Sequence, residues 1–142
     1  MMNSLLEKSV VESLIPQKAP FVMVDTLFAF TSNSIVAGFT IQSSNIFVEA
    51  GRFTESGIVE HMAQSVALYT GYQYYLKNEP APTGYIGSIK DVVVLSLPPA
   101  GGELITTATI LQEFMGITLV DIVTTCNGLQ IASAQMKTVV VQ

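Results

Sequence analysis

The run GIVEHMAQS, Gly57 to Ser65, places a carboxylic acid, an imidazole and a carboxamide within a single helical turn. On a helix, Glu60 and Gln64 share one face, and His61 is rotated about 100° away from it. Glu60 stands one turn into an otherwise apolar helix, where burial raises a carboxyl pKa and suits the group to donate a proton. The alternative is a carboxylate held near a helix start by the dipole and otherwise idle. His61 is the chain's single histidine, so a histidine base has to be this one, unless the ring sits at a subunit seam or is satisfied in the core. Gln64 can orient the Glu60 carboxyl or bond to backbone as a buried amide. Arg52 cannot act as a base because its guanidinium stays protonated, which leaves an anion-binding role or a surface cation. Cys126 has no histidine close in sequence to activate it as a nucleophile.

These groups must be positioned by one domain, since the chain has 142 residues. Apolar residues make up 49% and charged residues 12%, a balance that excludes disorder. So few charges cannot cover a monomer's surface, which predicts that apolar surface is buried against a partner subunit. The net charge of −5 argues against nucleic acid, because phosphate neutralisation needs a Lys/Arg surplus. One Cys and one His cannot build a zinc site unaided. The opening MMNSLLEKSVVESLIP carries Glu7 and Glu12 and does not read as a signal peptide. The longest uncharged stretch, Thr26 to Val48, is too rich in Thr, Ser, Asn and Gln to span a membrane. A cytoplasmic protein without membrane insertion is expected.

Residues 1–15 show helical spacing that Pro16 stops. PFVMVDTLFAF (Pro20 to Phe30) and IVAGFTI (Ile35 to Ile41) read as strands separated by a turn, and QSSNIFVEAGRF as irregular chain hinged at Gly51. A long helix spans 54–77, with so wide an apolar face that it must be largely buried. Four strands follow, the last two joined by an Asn127-Gly128 hairpin turn. The order gives an α+β domain over residues 1–142, an antiparallel sheet wrapped around a central helix. One helix cannot cover both faces of such a sheet, so two copies are expected to pair.

Two segments carry a family resemblance. LIPQKAPFVMVD (Leu14 to Asp25) resembles the opening signature of the hotdog-fold 3-hydroxyacyl-[acyl-carrier-protein] dehydratases, and GIVEHMAQS resembles their central-helix signature. LPPAGGEL is similar to the turn after their third strand. The likeness runs from Leu14 to Val141. Against the family pattern, Arg52 in Gly51-Arg52-Phe53-Thr54 stands where those enzymes carry a catalytic His, and Gln17 replaces the His of the opening motif. The loop before the helix is also short, which resembles the aryl-polyene and flexirubin-type branch. Glu60 occupies the position of the family's acid.

The resemblance implies a hotdog dimer acting on 3-hydroxyacyl thioesters in fatty acid or polyene-type biosynthesis, with acyl carrier protein as partner and no cofactor or metal. Such a dehydration needs a base for the C2 proton, an acid for the departing hydroxyl, and donors for the enolate-like oxygen. Glu60 and His61 are the candidates for proton transfer. Arg52, Phe53, Gly57 and Gln64 are those for substrate contact, with backbone N–H groups at the helix start holding the oxygen. The dimer is either a homodimer or a heterodimer with a related hotdog subunit. Two other readings remain: a hotdog subunit that binds an acyl carrier without catalysis, and an acyl thioesterase in which Glu60 activates water.

Overall fold

In the computed structural model, which describes residues 3–141, ten elements follow one another. A short helix α1 (Lys8–Ser13) precedes the strands β1 (Thr26–Thr31) and β2 (Ser34–Thr40). Two short strands, β3 (Val48–Glu49) and β4 (Arg52–Phe53), lead into the long helix α2 (Glu55–Leu76). Four long strands complete the chain: β5 (Thr83–Val94), β6 (Glu103–Phe114), β7 (Ile117–Cys126) and β8 (Leu129–Val141).

Six strands form one antiparallel sheet in the order β1-β2-β6-β7-β8-β5, and α2 contacts β2, β5, β6 and β7. Alternation decides which face meets the helix. On β6, Leu104, Thr106 and Ala108 are buried; on β7, Val120, Ile122 and Thr124; on β8, Ala132, Ala134 and Met136. From α2, Ile58, Met62, Val66 and Leu68 fill the other side of this core. This is the α+β hotdog arrangement that the sequence leads one to expect.

The ends of α2 follow from local chemistry. Thr54 caps the first turn by accepting the Gly57 N–H at 3.3 Å, which satisfies a donor that helix geometry leaves free. At the other end Asn78 takes a left-handed conformation, φ 55°, a common way to stop a helix. Gly57 is required by contact rather than by conformation. A Cβ there would lie 2.7 Å from the Phe53 ring and 2.8 Å from Phe47 Cβ, so only hydrogen lets the helix start sit against both side chains.

Three expectations need correction. The stretch read as irregular up to Phe53 holds the short antiparallel pair β3 and β4. The N-terminal helix, expected over residues 1–15, covers only Lys8–Ser13; positions 1 and 2 of that range lie outside the described residues. The strand expected from Pro20 begins at Thr26 instead. The reason is that Phe21 and Met23 spend their backbone groups on α2 side chains rather than on a neighbouring strand.

Candidate functional site

The site is organised around Gln64, which is fully buried. Its Oε1 accepts the Met23 N–H at 2.6 Å, and its Nε2 donates to the Phe21 carbonyl at 2.8 Å. The same nitrogen donates to Glu60 Oε2, also at 2.8 Å. The amide therefore bonds to backbone and orients the carboxyl at once, joining two roles that the sequence set as alternatives. Glu60 is half-buried, so the full burial expected of it is not present within the protomer. One carboxylate edge faces Gln64 at the margin of the helix.

His61 lies one residue on and in a different world. It is completely buried, with Nδ1 2.6 Å from the Met23 carbonyl and Nε2 2.7 Å from Thr106 Oγ1. A carbonyl can only accept, so Nδ1 carries the proton and Nε2 takes the Thr106 hydroxyl hydrogen. Thr106 in turn lies 2.6 Å from Thr124 Oγ1, and the two threonines are paired in register across β6 and β7. Burial pushes the imidazole pKa down to about 4, against weaker opposing pulls from the Met23 carbonyl and the Asp25 charge. The ring is thus neutral, and both nitrogens have protein partners. The expectation of His61 as a proton-transfer group meets a ring with no free nitrogen; its geometry is that of a core tie between α2, the Met23 segment and the sheet.

Arg52 is exposed at the start of β4, where its Nη1 donates to the Leu97 carbonyl at 2.8 Å. The Phe53 N–H donates to the Pro98 carbonyl, and the Ala100 N–H to the Gly51 carbonyl, both at 2.9 Å. The short loop is thereby pinned to the Leu97–Ala100 turn. Phe53 is fully buried beneath Gly57, so it shapes the helix start from below. Just beyond it, Glu55 and Ser56 carry N–H groups that helix geometry leaves without an intrahelical acceptor.

The structure accordingly brings Glu60 and Gln64 together, sets Phe53 and Gly57 at the helix start, and keeps Arg52 on the loop and His61 in the core. Two tyrosines near the end of α2, Tyr69 and Tyr72, are packing residues. Tyr69 stacks on Phe30 and donates to the Ser32 carbonyl at 2.6 Å, and Tyr72 meets Phe30 edge-on. Sequence reasoning missed the Thr106–Thr124 pair. The signal was a Thr at an inward position of each of two neighbouring strands, an apolar face asking for a polar partner.

Comparison with known proteins agrees with this fold. One subunit of the dehydratase heterocomplex ApeI:P from Xenorhabdus doucetiae superposes with a TM-score of 0.85 at 17% identity, covering 93% of this chain and 91% of that one. The E. coli PaaI protein from the phenylacetic acid degradation operon gives a TM-score of 0.66 at 12% identity, over 80% of each chain. A hypothetical thioesterase with coenzyme A from Streptococcus pneumoniae gives 0.67 at 10% identity, over 81% and 84%. At such identities these likenesses establish the fold. No curated protein is similar enough to this chain to match it. A family model does match, across residues 9–142, and by it the chain belongs to the ApeP-like family, described as ApeP dehydratase.

Proposed function

We propose that this chain is the acid-bearing subunit of a 3-hydroxyacyl thioester dehydratase and that a related hotdog subunit supplies the base. The observation that carries the reading is the contrast between adjacent residues. Glu60 is half-buried and held by Gln64, whereas the chain's single imidazole is sealed in the core with both nitrogens engaged. Arg52, where the family pattern has its His, cannot accept a proton. A base must therefore come from outside the protomer. The heterocomplex solved for the ApeI:P pair supports a partner of related fold.

The reaction balances as a simple elimination. The partner's base takes the C2 proton, the electron pair forms the C2–C3 double bond, and the C3 hydroxyl leaves as water with the proton that Glu60 donates. N–H groups at the α2 start stabilise the enolate-like thioester oxygen. An acyl carrier protein or another pantetheine thioester would deliver the chain.

The test is turnover of 3-hydroxyacyl pantetheine thioesters by this chain mixed with candidate hotdog partners, and by the Glu60→Gln form of the same mixture. Enoyl formation that falls about 10²- to 10⁴-fold on substitution is expected of a lost proton donor. Unchanged turnover in Glu60→Gln would remove the assignment, and release of free acid instead of enoyl product would favour the thioesterase reading.

A further inference from the structure

Met23 gives both of its backbone groups to side chains of α2. Its N–H donates to Gln64 Oε1 and its carbonyl accepts from His61 Nδ1, each at 2.6 Å. The residue is fully buried and precedes the first strand, since β1 begins at Thr26. No strand ladder therefore holds it, and the two α2 side chains do. Its own side chain adds one contact, Asn45 Nδ2 donating to Met23 Sδ at 3.3 Å. His61 is in turn held from the sheet, where Thr106 gives its hydroxyl hydrogen to Nε2 and Thr124 stands behind Thr106.

The donors in this series all point one way. Thr106 has spent its hydrogen on His61, so Thr124 donates to Thr106 at 2.6 Å. The hydroxyl pair thereby fixes the ring tautomer that the Met23 carbonyl requires. His61 Nδ1 then donates to Met23, the Met23 N–H to Gln64, and Gln64 Nε2 to Glu60 Oε2. Each group accepts on its sheet side and donates on its Glu60 side. The series ends on one carboxyl oxygen, which leaves Oε1 to carry the acid proton. A tilt of Met23 would swing Gln64 and turn that oxygen, and a misplacement of about 1 Å can cost about 100-fold in rate. We propose that His61 is a positioning residue: by fixing the Met23 carbonyl it sets the direction in which Glu60 presents its acid. The inference rests on the proposed function for the role of Glu60 as proton donor.

Two substitutions separate positioning from packing. His61→Asn keeps a donor near the Nδ1 position and gives up the bond to Thr106. His61→Gln reaches the Nε2 position and gives up the bond to Met23. Each removes one of the two ties, so both should lower the melting temperature. Turnover of 3-hydroxyacyl pantetheine thioesters with the hotdog partner, at a temperature where circular dichroism shows both variants folded, should divide them. In His61→Gln, kcat should fall about 10- to 100-fold with KM within about twofold of wild type. In His61→Asn the fall in kcat should stay below about threefold. NMR relaxation of the Gln64 side-chain amide should show the same division without substrate: ordered in wild type and His61→Asn, loosened in His61→Gln. Imidazole nitrogen shifts of the wild-type protein should report the Nδ1–H tautomer, a reading that needs neither a variant nor turnover. An Nε2–H ring, a Gln64 amide equally ordered in His61→Gln, or equal kcat in the two variants would each overturn the inference. Wild-type turnover in Glu60→Gln would instead overturn the proposed function, and the tautomer and the amide order would still decide whether His61 holds Gln64 in place.

Discussion

Gln64 Nε2 donates to Glu60 Oε2 at 2.8 Å across one turn of α2, while the rest of the same amide is tied to Met23 and Phe21. The direction of the Glu60 carboxyl is therefore set by a chain segment some forty positions away in sequence. A proton donor on a free side chain loses rotamer entropy on reaching its target; one held in place has already lost it.

Gln64→Leu should consequently damage stability and chemistry together. The buried Met23 N–H loses its acceptor, at a cost of about 1–3 kcal/mol, and Glu60 loses its orienting donor. Urea denaturation should show the loss, and turnover should fall even at concentrations where the protein remains folded. A variant with wild-type stability would show that the amide is not the clamp described.

The His61 ring predicts a pH-dependent stability with a definite sign. Its folded pKa of about 4 lies below the ordinary 6.5, so the unfolded chain takes up a proton first as pH falls. Its contribution is complete above pH 6.5 and is lost progressively down to about pH 4, a total of about 3 kcal/mol. Urea midpoints measured across that range should fall, and the slope should shrink in His61→Leu. An equally steep decline without the imidazole would assign the effect elsewhere.

Gly57→Ala should disturb the helix start. The added methyl would lie 2.7 Å from the Phe53 ring, and overpacking of this kind costs about 1–3 kcal/mol. Loss of melting temperature together with loss of turnover is the expected result. An undisturbed Gly57→Ala protein would mean that the Phe53 ring and the Phe47 side chain can yield.

The β5 edge should carry the subunit pairing. Along that strand Tyr85, Ile89, Val92 and Val93 are 60%, 41%, 44% and 47% exposed, and the strand has a neighbour, β8, on one side only. Such an edge invites another strand. Val92→Lys should shift the assembly towards monomer in sedimentation velocity, with secondary structure intact by circular dichroism. An unaltered sedimentation coefficient would place the contact elsewhere.

Much of this architecture was legible in the chain. The wide apolar face located α2 closely, and Asn127-Gly128 located the last hairpin, where both residues take positive φ. The 20–25 stretch misled because its β-forming side chains say nothing about where its backbone bonds go. That depended on Gln64 and His61, distant in sequence and close in space. For the site, one-turn spacing joined Glu60 to Gln64 and separated His61 from both. The depth of Glu60 was not legible, since helix periodicity reports a direction and not what stands opposite.

An unclosed β5 border also bears on how the cell handles this protein. A copy whose β5 border nothing covers presents a greasy rim to its neighbours, inviting clumping or capture by quality control. Were the proposed second subunit to cover that rim, balanced synthesis of the pair, or assembly while one is still emerging from the ribosome, would follow from this one open border.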